Sequence, residues 1–151
     1  MIVSLLLLQA VTQVPVEPSP RRVPLPIISC NVAVAMFAPR SDRIDEETAR
    51  ALDKIPPEAR AALEVEGVKL MVLPHPVTLR PANEARQRAL ADARGQRIKD
   101  YLTTRGYRAD RIAIRPAVVS ADEPKNWVEG ALVMMESAPE VWDKTRLGAV
   151  C

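Results

Sequence analysis

The apolar and polar positions divide the chain into two parts. From Cys30 onward they alternate or recur with periods that predict regular elements; before Cys30 they do not. "CNVAVAMFA" (30–38) is β-branched and apolar at both alternating positions, which predicts a strand covered on both sides. "SDRIDEETARALDKI" places its acids early and its Ala and Leu later, the order that suits a helix macrodipole. Pro56-Pro57 interrupts that helix. "PEARAALEVEG" then restarts a helical turn, with Pro57 at a first position and Gly67 as a stop. "VKLMVL" (68–73) predicts a second strand, followed by the proline-rich loop "PHPVTLRPA".

"QRALADARGQRIKDYL" (87–102) predicts one long helix, opened by Pro81 and capped by Gly106, with Leu90, Ile98, Tyr101 and Leu102 at helical spacing. "DRIAIRPAVV" predicts a third strand broken by Pro116, "ADEPKN" a turn, and "WVEGALVMME" a fourth strand with Gly130 as a bulge. Ser137 followed three residues later by Glu140 forms a capping-box pattern, which predicts a short C-terminal helix ending at Gly148. The order is β-α-β-α-β-β plus a helix. It predicts an α+β fold, a small mixed sheet with helices on one face.

The first ten residues, "MIVSLLLLQA", are too short an apolar run to span a bilayer as a helix. They read as the apolar region of a signal peptide, with Ala10 at the cleavage point, although no Lys or Arg precedes them. A buried N-terminal strand is the alternative reading. Residues 11–29 carry Pro15, Pro18, Pro20, Pro24 and Pro26 and read as an extended linker. "IISC" (27–30) resembles a lipoprotein cleavage box, but the apolar stretch before it is short and broken by prolines. The predicted organisation is a signal peptide over 1–10, a linker over 11–29, a domain over 30–136 and a C-terminal helix and tail over 137–151.

Composition narrows the functions. Aromatics make up 3% of the chain, so the core is aliphatic and no stacking platform for single-stranded nucleic acid is available. A net charge of +2 does not predict nucleic-acid binding either. Cys30 and Cys151 are the only cysteines. In an exported chain they are candidates for a disulfide; two unrelated thiols are the alternative. With one His they cannot fill a structural zinc site, and no cofactor is implied. His75, between two prolines, lacks the base and orienter that a catalytic role requires. From Arg80 to Arg115 ten basic residues face four acids, which reads as a solvated face balanced by the acid-rich stretch from Asp42 to Glu66, or as an electropositive patch for a partner. Trp142 reads as packing the last helix onto the sheet edge, or as a partner contact.

The element order and the long helix together resemble the OmpA-like domain family, whose helix reads N-x-x-L-S-x-x-R-A-x-x-V-x-x-Y-L. Gln87 stands at the Asn, Leu90 at the Leu, Ala91 at the Ser, Arg94 at the Arg, Gly95 at the Ala and Ile98 at the Val; Tyr101 and Leu102 close the match. Phe37 resembles the family Phe at the end of the first strand, and Gly106, Ile112, Ile114 and Pro124 follow the family course downstream. The resemblance covers 30–136 in element order and 87–124 in motif. It implies a non-catalytic cell-envelope module, periplasmic or associated with the outer membrane, with peptidoglycan or an envelope protein as partner and no membrane span in the mature chain.

In the family, the Arg at the position of Arg94 holds a carboxylate of diaminopimelate, a guanidinium fork on an anion. The resemblance thus makes Arg94, Thr78, Arg80 and Gln87 the candidate ligand residues. The family acid in the loop before the helix falls on Leu79, and no acid occurs between Glu66 and Glu84. The later family N-R-R-V-E pattern is represented by Asn126 without its Arg. The expectation is therefore weak or lost peptidoglycan binding; the alternative is a structural or protein-interaction domain without a small ligand. Arg94 itself reads either as an anion clamp or as an ordinary surface charge of the helix.

Overall fold

The computed structural model describes residues 26–75, 82–115, 130–143, 145–149 and 151. Strands β1 (Ile28–Met36), β2 (Lys69–Pro74), β3 (Ile112–Ile114) and β4 (Gly130–Ser137) form one sheet in the order β1-β4-β2-β3. Strand β4 runs antiparallel to both β1 and β2, and β2 pairs parallel with β3. The sheet is mixed, as the element order predicts. The last strand lies inside it, between the first two.

Cross-strand register aligns one buried face. Leu70 lies between Met135 and Ile112, Val72 between Val133 and Ile114, and Ala131 pairs with both Pro74 and Ala35. Helices α1 (Glu46–Asp53), α2 (Pro57–Ala62) and α3 (Glu84–Thr104) add Leu52, Ala59, Ile98 and Leu102 to the same core cluster. The core is aliphatic apart from Phe37 and Tyr107. Burying each Leu or Ile contributes up to about 1.5–3 kcal/mol, an upper bound set by the extended-chain reference.

Local chemistry fixes the helix ends. Asp45 caps α1 by accepting the Thr48 N–H at 2.8 Å. This charge-stabilising bond is the main cause that holds its carboxyl below the usual range. The buried Thr48 hydroxyl also donates to the Met36 carbonyl, tying α1 to the end of β1. Pro57 opens α2 at its first turn. At the other end of α3, Gly106 has φ +88°, and the N–H groups of Gly106 and Tyr107 reach back to Thr103 and Leu102. This is a Schellman stop, with Tyr107 and Leu102 both in the core.

Several expectations are corrected. Strand β1 is an edge strand rather than one covered on both sides, and Val34 on it is 49% exposed. The irregularity in the β1–β4 ladder falls between Asn31 and Ala33, not at Gly130. Gly130 instead begins β4, where a Cβ would stand 2.5 Å from the Ala35 carbonyl oxygen. The Ser137 capping box does not form: α4 (Pro139–Trp142) is capped at Ala138 without a side-chain bond, and the Ser137 hydroxyl donates to the Ala138 carbonyl. The C-terminus is α4 and a separate 3-10 turn, Arg146–Ala149, rather than one helix. Residues 1–25, 116–129 and Pro81, including Trp127 and most of the predicted linker, lie outside the described residues.

Cys30 and Cys151 are joined, with Cα atoms 5.9 Å apart and a sequence separation of 121. The bond fastens the end of the chain, where Leu147 is fully buried, to edge strand β1. A loop of this length gives a chain-entropy stabilisation of roughly 4–5 kcal/mol, commonly reduced in practice to about 2–5. Cys151→Ser is expected to lower the unfolding free energy within that range. Urea denaturation of wild type and variant, each with and without reductant, checks it: the reductant should affect only the wild type.

Gly95 sits where α3 meets the sheet. A Cβ there would come within 2.7 Å of Ile114 Cγ2 and 3.2 Å of Pro74 Cγ. Gly95→Ala gains about 1 kcal/mol of helix propensity. It also forces apart a β-branched side chain and a proline ring, an overpacking cost of about 1–3 kcal/mol. Net destabilisation is expected, read as a lower denaturation midpoint with an unchanged m-value.

Candidate functional site

Arg94 is buried, 1% exposed, and among the largest fully buried side chains of the described residues. Its neighbours on α3 explain this placement. Ala91, Gly95, Ile98 and Leu102 form the buried stripe, and Arg94 lies on the flank of that stripe. The reading of Arg94 as an ordinary surface charge is therefore overturned.

The guanidinium reaches the turn between β1 and α1. Nε donates to the Ser41 carbonyl at 2.7 Å, and one terminal nitrogen donates to the Ala38 carbonyl at 3.2 Å. The guanidinium carbon lies 5.1 Å from the Phe37 ring centroid, within cation–π range. The Ser41 N–H closes the same turn on the Ala38 carbonyl at 3.1 Å. Pro39 holds the second position and Arg40, with φ +60°, the third, an arrangement of the type II kind that favours Gly at Arg40. Arg97 adds an outer ion pair to Asp42 at 3.3 Å. One turn is thus held by α3 at two depths.

This clasp sets Arg40 beside the first turns of α3. Arg40, Asn83, Arg86, Gln87 and Leu90 line a cavity of about 440 Å³. Gln87 is half-buried in its wall. The lining holds two guanidinium groups, two amides and one apolar side chain, with no carboxylate. The nearest acid in sequence, Glu84, is paired with Arg88 at 2.8 Å. Among the described residues such a wall offers guanidinium donors to an anion and no carboxylate to pair with an ammonium group.

Of the four predicted ligand residues, Arg94 and Gln87 share this region: Arg94 braces it from inside and Gln87 lines it. Thr78 and Arg80, like Leu79, lie outside the described residues. Arg40 and Arg86 were not singled out by sequence reasoning. Arg86 carried a usable signal, being one position before Gln87. Arg40 carried none, because only the turn clasped by Arg94 brings it to α3.

His75 is buried, and its backbone N–H donates to the Gly130 carbonyl at 3.0 Å, extending the β2–β4 pairing. The acid-rich and basic stretches meet as ion pairs: besides Arg97–Asp42, Arg105 reaches Asp53 and Arg108 reaches Glu64, each at 3.3 Å. The reading of mutually balancing stretches fits these contacts. Being exposed, each pair contributes about 0.2–1 kcal/mol. Trp142 is half-buried against the core, as its packing role predicts. Among the described residues, no group of three His, Cys, Asp or Glu could hold a metal ion, and no helix is long and apolar enough to cross a membrane.

Arg94→Met keeps much of the side-chain volume but leaves the Ala38 and Ser41 carbonyls without these donors. A loss of about 2–3 kcal/mol is expected, the scale of charged hydrogen bonds removed from a buried site. Arg94→Lys, which cannot fork between two carbonyls, should fall between wild type and Arg94→Met. Chemical denaturation of the three proteins checks the order.

No family model matches the sequence, and no curated protein matches it significantly. Solved structures do match by fold. The OmpA-like domain of FopA1 from Francisella tularensis superposes with a TM-score of 0.53 at 10% identity, over 70% of this chain and 71% of that one. The C-terminal domain of Helicobacter pylori MotB gives 0.54 at 14% identity, over 78% of this chain and 92% of that one. A longer periplasmic fragment of the same MotB gives 0.50 at 13% identity, over 82% and 80%. With β4 inserted between β1 and β2 and α3 braced on the sheet, the chain has the fold of the OmpA-like domains.

Proposed function

We propose that the protein is a non-catalytic cell-envelope module that engages the cell wall through an anion-binding cavity, with weaker grip on diaminopimelate-type peptidoglycan than a complete site would have. The observation that carries this reading is the cavity lined by Arg40, Asn83, Arg86, Gln87 and Leu90, next to the turn that Arg94 holds. Of the ligand residues that the motif resemblance implies, Gln87 lines it. Its chemistry suits a carboxylate, and among the described residues its lining holds no carboxylate to pair with the ammonium of a zwitterion. The bond between Cys30 and Cys151 supports an exported, oxidising location, in line with the apolar N-terminal run.

A second reading keeps the fold as a protein-interaction domain without a small ligand. It is favoured by Arg94 itself, two of whose donors already serve the turn carbonyls.

Pull-down with purified sacculi separates the two. Wild type is expected to bind weakly. Arg86→Gln should reduce capture by about tenfold or more, the scale of one charged hydrogen bond. Arg40→Gly should do the same while leaving stability equal or higher, because Gly removes the strain of the left-handed φ. Leu79→Asp should strengthen capture by supplying an acid for the ligand's ammonium. Capture indifferent to all three substitutions defeats the cavity reading; no capture by wild type or Leu79→Asp favours the interaction domain.

A further inference from the structure

The opposite end of α3 carries a second cavity. Leu90 and Leu102 are twelve residues apart on one helix, about 18 Å along its axis, so the two cavities do not merge. This one measures about 230 Å³. Its apolar lining comes from Leu52, Ile55, Pro57 and Leu102, its polar lining from Asp53, Arg60, Arg105 and Tyr107.

The polar groups are not equivalent. Asp53 is committed: it accepts the Tyr101 hydroxyl at 2.9 Å and the Arg105 guanidinium at 3.3 Å. Arg105 is fixed in turn by the Tyr101 oxygen at 2.7 Å and lies 4.9 Å from that ring's centroid. Arg60 donates one nitrogen to the Arg105 carbonyl at 3.2 Å and is in no ion pair among the described residues. The Tyr107 hydroxyl makes no hydrogen bond among the described residues, though the residue is 9% exposed. Burial pushes that hydroxyl above the usual phenol range, against the pull of Arg60, so it remains a proton donor at neutral pH. With Asp53 offset by Arg105, the lining keeps one positive charge, from Arg60. An aliphatic floor surrounds it.

We infer that this cavity is a binding site for a carboxylate carried on a short aliphatic group, the carboxylate received by Arg60 and Tyr107 and the aliphatic part by Leu52, Ile55 and Leu102. The volume suits a single small residue or a short acid rather than a drug-sized ligand. Arg60 supplies the charge, because a guanidinium with nitrogens left for a second partner is suited to a carboxylate. Tyr107 supplies a second, neutral donor. Two sources share this chemistry: the C-terminal residue of a peptide and a free short-chain acid.

Titration of the isotope-labelled full chain, followed by amide resonances, tests the site. The probes are N-acetylvaline, its amide N-acetylvalinamide, and hexanoate. N-acetylvaline should shift resonances of residues 52–60 and 102–107, and the amide should bind at least about tenfold more weakly. Arg60→Gln should weaken the acid by a similar factor. Tyr107→Phe, which keeps the packing, should weaken it a few-fold, so the site remains testable even where the Arg60 variant loses stability. Arg86→Gln, in the other cavity, should leave the N-acetylvaline affinity of this site as it is while lowering sacculi capture, which separates failure of this site from failure of the cell-wall reading. Tighter binding of N-acetylvaline than of hexanoate identifies a peptide terminus; equal or tighter hexanoate binding identifies a free acid. Equal binding of acid and amide, or acid binding unaffected by both Arg60→Gln and Tyr107→Phe, overturns the inference.

Discussion

A guanidinium withdrawn from water between a helix and a turn organises much of this molecule. Burying Arg94 is costly unless its donors are used. Two of them are used on carbonyls that a tight turn leaves pointing inward. The turn thereby gains a fixed position against α3, and α1, which begins at Glu46, is tied by Thr48 to Met36 at the end of β1, just before that turn. The same turn carries Arg40 to the wall of the larger cavity. Core packing sets the distance between α3 and the sheet, with Gly95 allowing the closest approach. The polar clasp sets the lateral register of the β1–α1 corner, which non-directional apolar contacts would leave loose.

Much of the architecture was legible in the sequence because its signals are local. Short apolar runs gave β1, β2 and β4 to within about two residues at their described ends, and helical spacing with Gly106 gave α3. Other features depend on partners distant in sequence. That β1 lies at an edge is a property of strand order, and an apolar run at both alternating positions cannot reveal it. The ladder irregularity lies between Asn31 and Ala33, while Gly130 serves instead a close approach to the Ala35 backbone. The capping box failed because α4 starts at Pro139, two residues beyond Ser137, so Ala138 and not Ser137 holds the cap position.

The candidate sites were half legible for the same reason. Motif spacing led to Arg94 and Gln87, which lie on one helix at fixed separation. It could not show that Arg94 turns inward, since an Arg at the flank of a helical stripe can face either way. Arg40 and Arg60 come from segments far from α3 in sequence, and only the folded chain sets them beside it. In both cavities an exposed arginine beside aliphatic side chains is the feature that composition and periodicity conceal.

The position of β4 has a consequence for how the molecule is assembled. The central strand is the last to be synthesised: β1 and β2 share no ladder until residues 130–137 slot between them. The β1–β4 pairing closes a loop of about a hundred residues, from Ile28 with Ser137 to Met36 with Gly130. Non-local pairing of this kind slows folding, since loop-closure entropy is spent before the contacts form. Until residues 130–137 emerge, a nascent chain therefore leaves the β1 edge and one edge of β2 unjoined. The β2–α3–β3 part can pair without β4, but β1 finds its only described ladder partner in β4, so the sheet is completed by the last of its described strands.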